Sequence, residues 1–392
     1  MVIVSEPRYS DEDVSQVVSA SININGSCYE IYYRITGGSL SAGAETFLAA
    51  TLLPAMKADG SLRITGDVFP KLLESIPRIQ EIFHVWDRSF QKISVEAKTK
   101  NTSESVTNTD RGVGCFFTGG VDSFYTLLKN RNEITKLIFV HGFDIRLDDT
   151  LLRAKVSQAI RDIASKLHKQ LIEVETNLRE FSDCYVPWKL YHGAALASVA
   201  LLLSPQLKKV YIAASLSYTN LLPTGSHPIL DPLWSTEETE IVHDGCEATR
   251  IEKVEQIALN DIALKSLRVC WENRQGAYNC CQCEKCLRTM VSLRIAGVLE
   301  RCTTFKRPLD LEALARVEIS NPLNIPSYKE NLEAVKRLGN DPALAKALND
   351  CLTERYYRGI RRLRLSGFKK IGFIKRLKKI VRKLLINLKS VP

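Results

Sequence analysis

The chain has 392 residues, 45% of them hydrophobic and 25% charged, which excludes a disordered or low-complexity protein and is enough for two or three domains. Its longest apolar run, residues 194–203 broken only by Ser198, is ten residues, too short to cross a bilayer. Eleven cysteines, odd in number and clustered late, argue against a secreted disulfide framework, and residues 1–11 have no basic stretch before an apolar core, so no signal peptide and a cytoplasmic location are expected.

The net charge of +10 is uneven. Residues 353–392 hold fourteen Lys/Arg and one acid, whereas the first 352 hold 40 Lys/Arg against 43 Asp/Glu. The basic character belongs to the tail.

In chain order, residues 19–35 read as a hairpin turning at Asn25-Gly26. Residues 44–57 are helical in composition but expected to be interrupted at Pro54, and residues 67–87 carry a helical apolar face that Pro77 is expected to divide in two. With a strand over 92–97 this makes a small α+β domain, residues 1–98, expected to be a scaffold or docking module. Residues 99–111 open a new segment as a polar linker.

From there strands and helices alternate. Strands are expected over 113–117, 136–141, 170–174 and 209–214, with helices over 121–130, 151–168 and 190–203 between them. Repeated strand–helix units predict an α/β fold with a parallel sheet and ligands at the C-terminal strand ends. His141 and Asp144 stand at one such end, as a polar loop or as nucleotide or substrate contacts.

The first strand runs into Thr118-Gly119-Gly120-Val121-Asp122-Ser123, a glycine turn opening a helix. That geometry favours an anion: glycines let the backbone approach a phosphate, and the free amides of the helix point at it. Thr118 and Ser123 add hydroxyls, and Asp122 is a candidate ligand for a magnesium ion bridging phosphates. A plain helix cap is the competing reading.

Five cysteines lie within residues 270–286. Cys270, Cys280, Cys283 and Cys286, spaced C-x9-C-x2-C-x2-C, offer four thiolates for a closed structural zinc site, with an iron–sulfur cluster as the other metal option and Cys281 as a spare.

Thr-Gly-Gly-Val-Asp-Ser resembles the Ser-Gly-Gly-x-Asp-Ser loop of the PP-loop ATP pyrophosphatases. Together with the late cysteine cluster, Tyr185-Val186-Pro187, Lys253-Val254-Glu255-Gln256-Ile257 and Cys286-Leu287-Arg288, it resembles the 7-cyano-7-deazaguanine synthase family over residues 112–300. The resemblance implies a Rossmann-like fold of the adenine nucleotide α-hydrolase kind over 112–305. It also implies ATP, Mg²⁺ and Zn²⁺ as cofactors and cleavage of ATP to AMP and pyrophosphate. A carboxylate or amide oxygen of a small or nucleobase-like acid would be adenylated and then attacked by ammonia or an amine. Thr118, Gly119, Gly120, Val121, Asp122, Ser123 and His141 would hold the nucleotide, with Asp122, Ser123 and Lys253 catalytic and Lys253 neutralising the leaving pyrophosphate. The family's Gly-Arg-Asn after Val-Pro is here Trp188-Lys189-Leu190, and its Tyr-Pro-Asp-Cys stretch is replaced by residues 220–231. Two other readings stay open: an RNA-thiolating adenylase with cysteine-bound iron–sulfur, and a docking protein that binds ATP without consuming it.

Residues 306–352 read as short helices. Beyond residue 371, Phe373, Ile374, Leu377, Ile380, Val381, Leu384, Leu385 and Leu388 share one helical face and six Lys/Arg the other, with no acid among them. Core packing under a solvated face is one reading. An anionic partner, either a membrane surface or RNA, is the other. A homodimer is left open.

Overall fold

The computed structural model describes residues 1–12, 14–101 and 111–365, the last twelve as backbone only. The amphipathic face expected beyond residue 371 and most of the polar linker lie outside the described residues.

The N-terminal strands are β1 (Val2–Val4), β2 (Arg8–Glu12), β3 (Ser15–Ile24) and β4 (Ser27–Ile35). Asn25 (φ 53°) and Gly26 (φ 84°) take the left-handed conformations that a two-residue hairpin requires, and β3 pairs antiparallel with β4 as expected. Then come α1 (Ala44–Lys57), β5 (Leu62–Val68), α2 (Pro70–Trp86) and β6 (Val95–Thr99). Alternation follows with β7 (Gly112–Phe116), α3 (Val121–Lys129), β8 (Lys136–His141), α4 (Thr150–Lys166) and β9 (Gln170–Thr176). Helices α5 (Leu178–Ser182) and α6 (Trp188–Leu202) lead to β10 (Leu207–Ala213) and to β11 (Glu240–Asp244). The chain closes with α7 (Arg250–Ala258), α8 (Asp261–Ser266), α9 (Glu284–Ile295), α10 (Leu311–Arg316), α11 (Ile325–Leu338) and α12 (Pro342–Leu365).

Among the described residues, all eleven strands join one mostly parallel sheet in the order β11-β10-β7-β8-β9-β4-β3-β1-β5-β6, with β2 on the edge of β3. Strands β7 to β11 are mutually parallel, and β7 lies between β8 and β10. The winding therefore reverses between β7 and β10, which opens a crevice at their C-terminal ends. The N-terminal hairpin continues the same sheet, because β4 pairs antiparallel with β9 (Arg34↔Glu175). Arg34 also donates to the Glu175 carboxylate at 2.8 Å across that seam.

Alternate residues of the central strands enter opposite cores. Phe116, Ile138 and Val140 pack with α1, α2 and α6, while Cys115, Phe117, Leu137 and Phe139 pack with α3, α4, α7 and α8. Burial on both faces explains why these strands read as continuous apolar runs. A third cluster ties α10–α12 to Leu287 and Val291 of α9.

Neither proline breaks its helix, contrary to expectation: α1 and α2 run through Pro54 and Pro77. Pro54 has no N–H for the Ala50 carbonyl four residues earlier, but the buried Tyr191 hydroxyl donates to that oxygen instead, at 2.5 Å. Pro77 lies on the exposed face of α2, where a freed carbonyl can be hydrated. Tyr191→Phe is expected to destabilise the protein by about 1–3 kcal/mol by orphaning the Ala50 carbonyl. Adding Pro54→Ala restores an N–H, so a double-mutant cycle in urea melts should show most of that loss recovered.

Candidate functional site

The glycine turn sits where β7 ends. Gly119 (φ +73°) makes the bend and its carbonyl accepts the Arg268 N–H at 2.8 Å. Gly120 caps α3 with its backbone extended, and no side chain caps that helix. The first-turn amides of α3 therefore lack a side-chain acceptor. Ser123 donates to the Gly120 carbonyl at 3.1 Å, and Thr118 is exposed.

Asp122, in the first turn of α3, accepts from Arg250 Nη1 at 2.8 Å, and Lys253 Nζ stands 3.6 Å from its Oδ1. Burial opposes ionisation of Asp122, but the Arg250, Lys253 and Lys285 charges outweigh it and bring the pKa down to about 2. The Asp122 Oδ1 has no hydrogen-bond partner among the described residues, nor do the Nε of Arg250 and the Nε of Arg268. Such orphaned buried groups are rare and need an explanation.

They belong to a cavity of about 440 Å³ at the C-terminal ends of the parallel strands. Thr118, Gly120, Asp122 and Ser123 line it together with Arg250, Arg268, Lys285 and Arg288. Arg250, Arg268 and Arg288 are each less than 10% exposed. Burial, and then the repulsion of Arg250 and Arg288, lowers the pKa of Lys285, partly offset by Asp144 and Asp122. Glu284 neutralises one member by accepting from Arg288 at 2.8 Å. With Lys189, five cations face three acids (Asp122, Asp144 and Glu284), so the cavity favours an anion.

Lys253 and His141 lie elsewhere. Lys253, 2% exposed, donates to the Ala214 carbonyl at 2.6 Å and stands behind Asp122, outside the cavity lining. It fixes Asp122 to the end of β10. His141 is absent from that lining as well: its Nε2 is 2.9 Å from Glu173 and 3.2 Å from Ser157 of α4, a buried polar knot between β8 and β9. The residues that sequence reasoning left without a role are the cavity cations. Arg250 precedes Lys253 by three positions in a helix opened by the Thr249–Glu252 capping box, so its position beside Lys253 was readable.

The sulfurs of Cys270, Cys280, Cys283 and Cys286 are buried and all within 4.8 Å of one another, so they form a group that could hold a metal such as zinc. Two Sγ–Sγ separations are 3.9 Å, close to the edge of about 3.8 Å that a tetrahedron with Zn–S bonds near 2.3 Å would have. Backbone amides of Cys283 and Cys286 donate to the Cys280 and Cys283 sulfurs at 3.2 and 3.4 Å, favouring thiolates. The Cys270 thiol is held far below its ordinary range by hydrogen bonds from Cys283 and Cys286, whose own thiols are pushed up in turn. Only a cation lets all four ionise together. Cys281 (φ 60°) turns its sulfur toward the Asn279 carbonyl and stays outside the group.

Asn279 holds the two arms of the knuckle together. Its Oδ1 accepts the amides of Val269 and Cys270, and its Nδ2 donates to the Leu267 carbonyl at 2.8 Å. The arm entering the knuckle carries Arg268, and the helix leaving it, α9, carries Lys285 and Arg288. Thr289 of α9 accepts from Arg250 Nη2 at 3.4 Å, completing a path from the cysteines to Asp122.

No protein-family model, curated protein or solved structure matches the chain. Elemental analysis should find one zinc per chain and a colourless protein. Cys286→Ser is expected to lose the metal and several kcal/mol of stability, whereas Cys281→Ser should keep both. A brown protein with four irons would replace zinc by a cluster.

Proposed function

We propose that the chain is an adenylating enzyme of the PP-loop ATP pyrophosphatase kind, forming AMP and pyrophosphate while activating a carboxylate or amide oxygen for attack by ammonia or an amine. The observation that carries this is Asp122: an ionised, half-satisfied carboxylate in the first turn of α3, on the wall of a cavity with more cations than acids. The strand order β11-β10-β7-β8-β9, with the turn beside its switch point, supports the Rossmann-like part of this reading.

In this reading the phosphates of ATP lie on residues 118–123, where backbone amides receive them. Arg250, Arg268, Lys285 and Arg288 offset the negative charge that grows on the leaving pyrophosphate. Lys253 acts indirectly, by positioning Asp122. Asp122, whose Oδ1 has no hydrogen-bond partner among the described residues, would be the carboxylate ligand of Mg²⁺, which when bound would screen the phosphate charge. A zinc ion held by Cys270, Cys280, Cys283 and Cys286 would have no open position, and its part would be to hold Arg268 and α9 in place. Trp188 and Lys189, which stand in place of the family's Gly-Arg-Asn, line the cavity and bear on acceptor choice.

The test is product analysis with Mg-ATP, ammonium and a panel of carboxylic acids that includes 7-carboxy-7-deazaguanine. Acid-dependent AMP and pyrophosphate are expected, and Asp122→Ala should lose at least about 100-fold in rate while keeping its fold by circular dichroism. ADP and phosphate as products, or full activity in Asp122→Ala, would overturn the reading.

A further inference from the structure

The same cavity is also lined by residues of the 224–231 loop and of β11. The loop is pressed against α6 so tightly that a Cβ on Gly193 would stand 1.9 Å from the Gly225 carbonyl. The Gly225 amide donates to the Lys189 carbonyl at 2.8 Å, which fixes the loop to the start of the helix. Ser226, His227 and, from β11, His243 line the cavity, as do Trp188 and His192.

Behind them lies Asp231, with no solvent exposure at all. Its Oδ2 accepts from Ser226 Oγ at 2.6 Å and lies 2.7 Å from His243 Nδ1, and its Oδ1 accepts the His227 amide at 3.2 Å. Among the described residues no lysine or arginine pairs with it; His243 is its ion-pair partner. A buried carboxylate with one ionisable partner holds a proton on that partner. Nδ1 is thus committed to Asp231, the Cys246 thiol is a second hydrogen-bond neighbour of the ring, and Nε2 carries the remaining N–H.

We propose that His243, held by Asp231, is a catalytic hydrogen-bond donor of this cavity: its N–H meets the acyl oxygen on which negative charge develops when ammonia or an amine attacks. The proposal rests on the adenylation reading above. In that step the C–N bond forms as the carbonyl π pair moves onto oxygen. When the carbonyl re-forms, the C–O bond to AMP breaks and AMP leaves with the electron pair. The proton lost from nitrogen passes to solvent, and His243 keeps its own throughout. A fixed donor aimed at a developing oxyanion acts without reorganisation, which makes such groups effective.

Charge supports the same role. Burial opposes protonation of His243, but the bond to Asp231, with Cys246 beside the ring, raises its pKa to about 9. The titratable groups around it are Asp231 and His227 from the loop and Cys246 from the turn after β11, while His192 of α6 senses Asp231. The donor is therefore present through neutral pH and lost as pH rises past about 9.

The experiment is the pH dependence of acid- and amine-dependent AMP release by the full chain at saturating free amine, with pyrophosphate release, Mg-ATP affinity and thermal melting measured alongside. Wild type is expected to lose rate above about pH 9. His243→Gln should cut kcat by about 10²–10³-fold with Mg-ATP affinity unchanged, and should abolish that alkaline limb. Asp231→Asn should move the limb toward the ordinary histidine range near about 6.5. A flat wild-type profile through pH 9, or wild-type kcat in His243→Gln, overturns the role of His243 and leaves the adenylation reading standing. Wild type that releases no pyrophosphate with any acid overturns both.

Discussion

Convergence of four thiols on a single point is the constraint from which the site is built. Buried sulfurs within 4.8 Å of one another cannot all ionise without a cation, and ionised they cannot separate from one. The polypeptide on both sides of that point is held accordingly. Arg268 arrives on the arm before Cys270 and bonds the Gly119 carbonyl, and α9 departs from Cys283 with Lys285, Arg288 and Thr289 in its first two turns. Asn273 and Gln275, non-glycine residues at φ 50° and 56°, show the strain that the knuckle imposes between its arms. A structural centre and a basic cavity wall are thus one object.

That wall is electrostatically lopsided. Burying several guanidinium groups together is costly, and only Asp122, Glu284 and Asp144 oppose them. Asp122 shares Arg250 and Lys253, Glu284 takes Arg288, and the Nε atoms of Arg250 and Arg268 are left without partners. The N-terminal amides of α3 add the positive end of a helix beside them. The physical complement of all this is an anion with several oxygens. The pair at the 224–231 loop differs: the buried carboxylate of Asp231 is matched to one histidine, His243.

Much of the fold was legible in the sequence. Strand β8 falls on its expected residues, the Asn25-Gly26 hairpin forms, and the neighbouring strands and helices differ by one to three residues at their ends. These are local matters of apolar period and turn chemistry. The two prolines misled because the rule that proline breaks helices assumes that the freed carbonyl goes unsatisfied. Tyr191, 141 residues away, supplies the bond that Pro54 cannot. β11 escaped notice because Glu-Ile-Val-His-Asp has only two apolar residues, yet its pairing with β10 makes it the strand that carries His243. Likewise nothing in the first hundred residues signals that β4 pairs with β9.

For the site, sequence alone determined the candidates whose meaning is carried by spacing: the glycine turn, Asp122 one residue into its helix, and the four cysteines. Their chemistry depends on neighbours a few residues apart, which any fold must keep close. Only the tertiary structure decided which cations surround Asp122, that His141 belongs to a polar knot with Glu173 and Ser157, and that Asp231 and His243 face one another. Those relations join residues 12 to 128 positions apart. Charge acts through space and burial, and neither is a property of position along the chain.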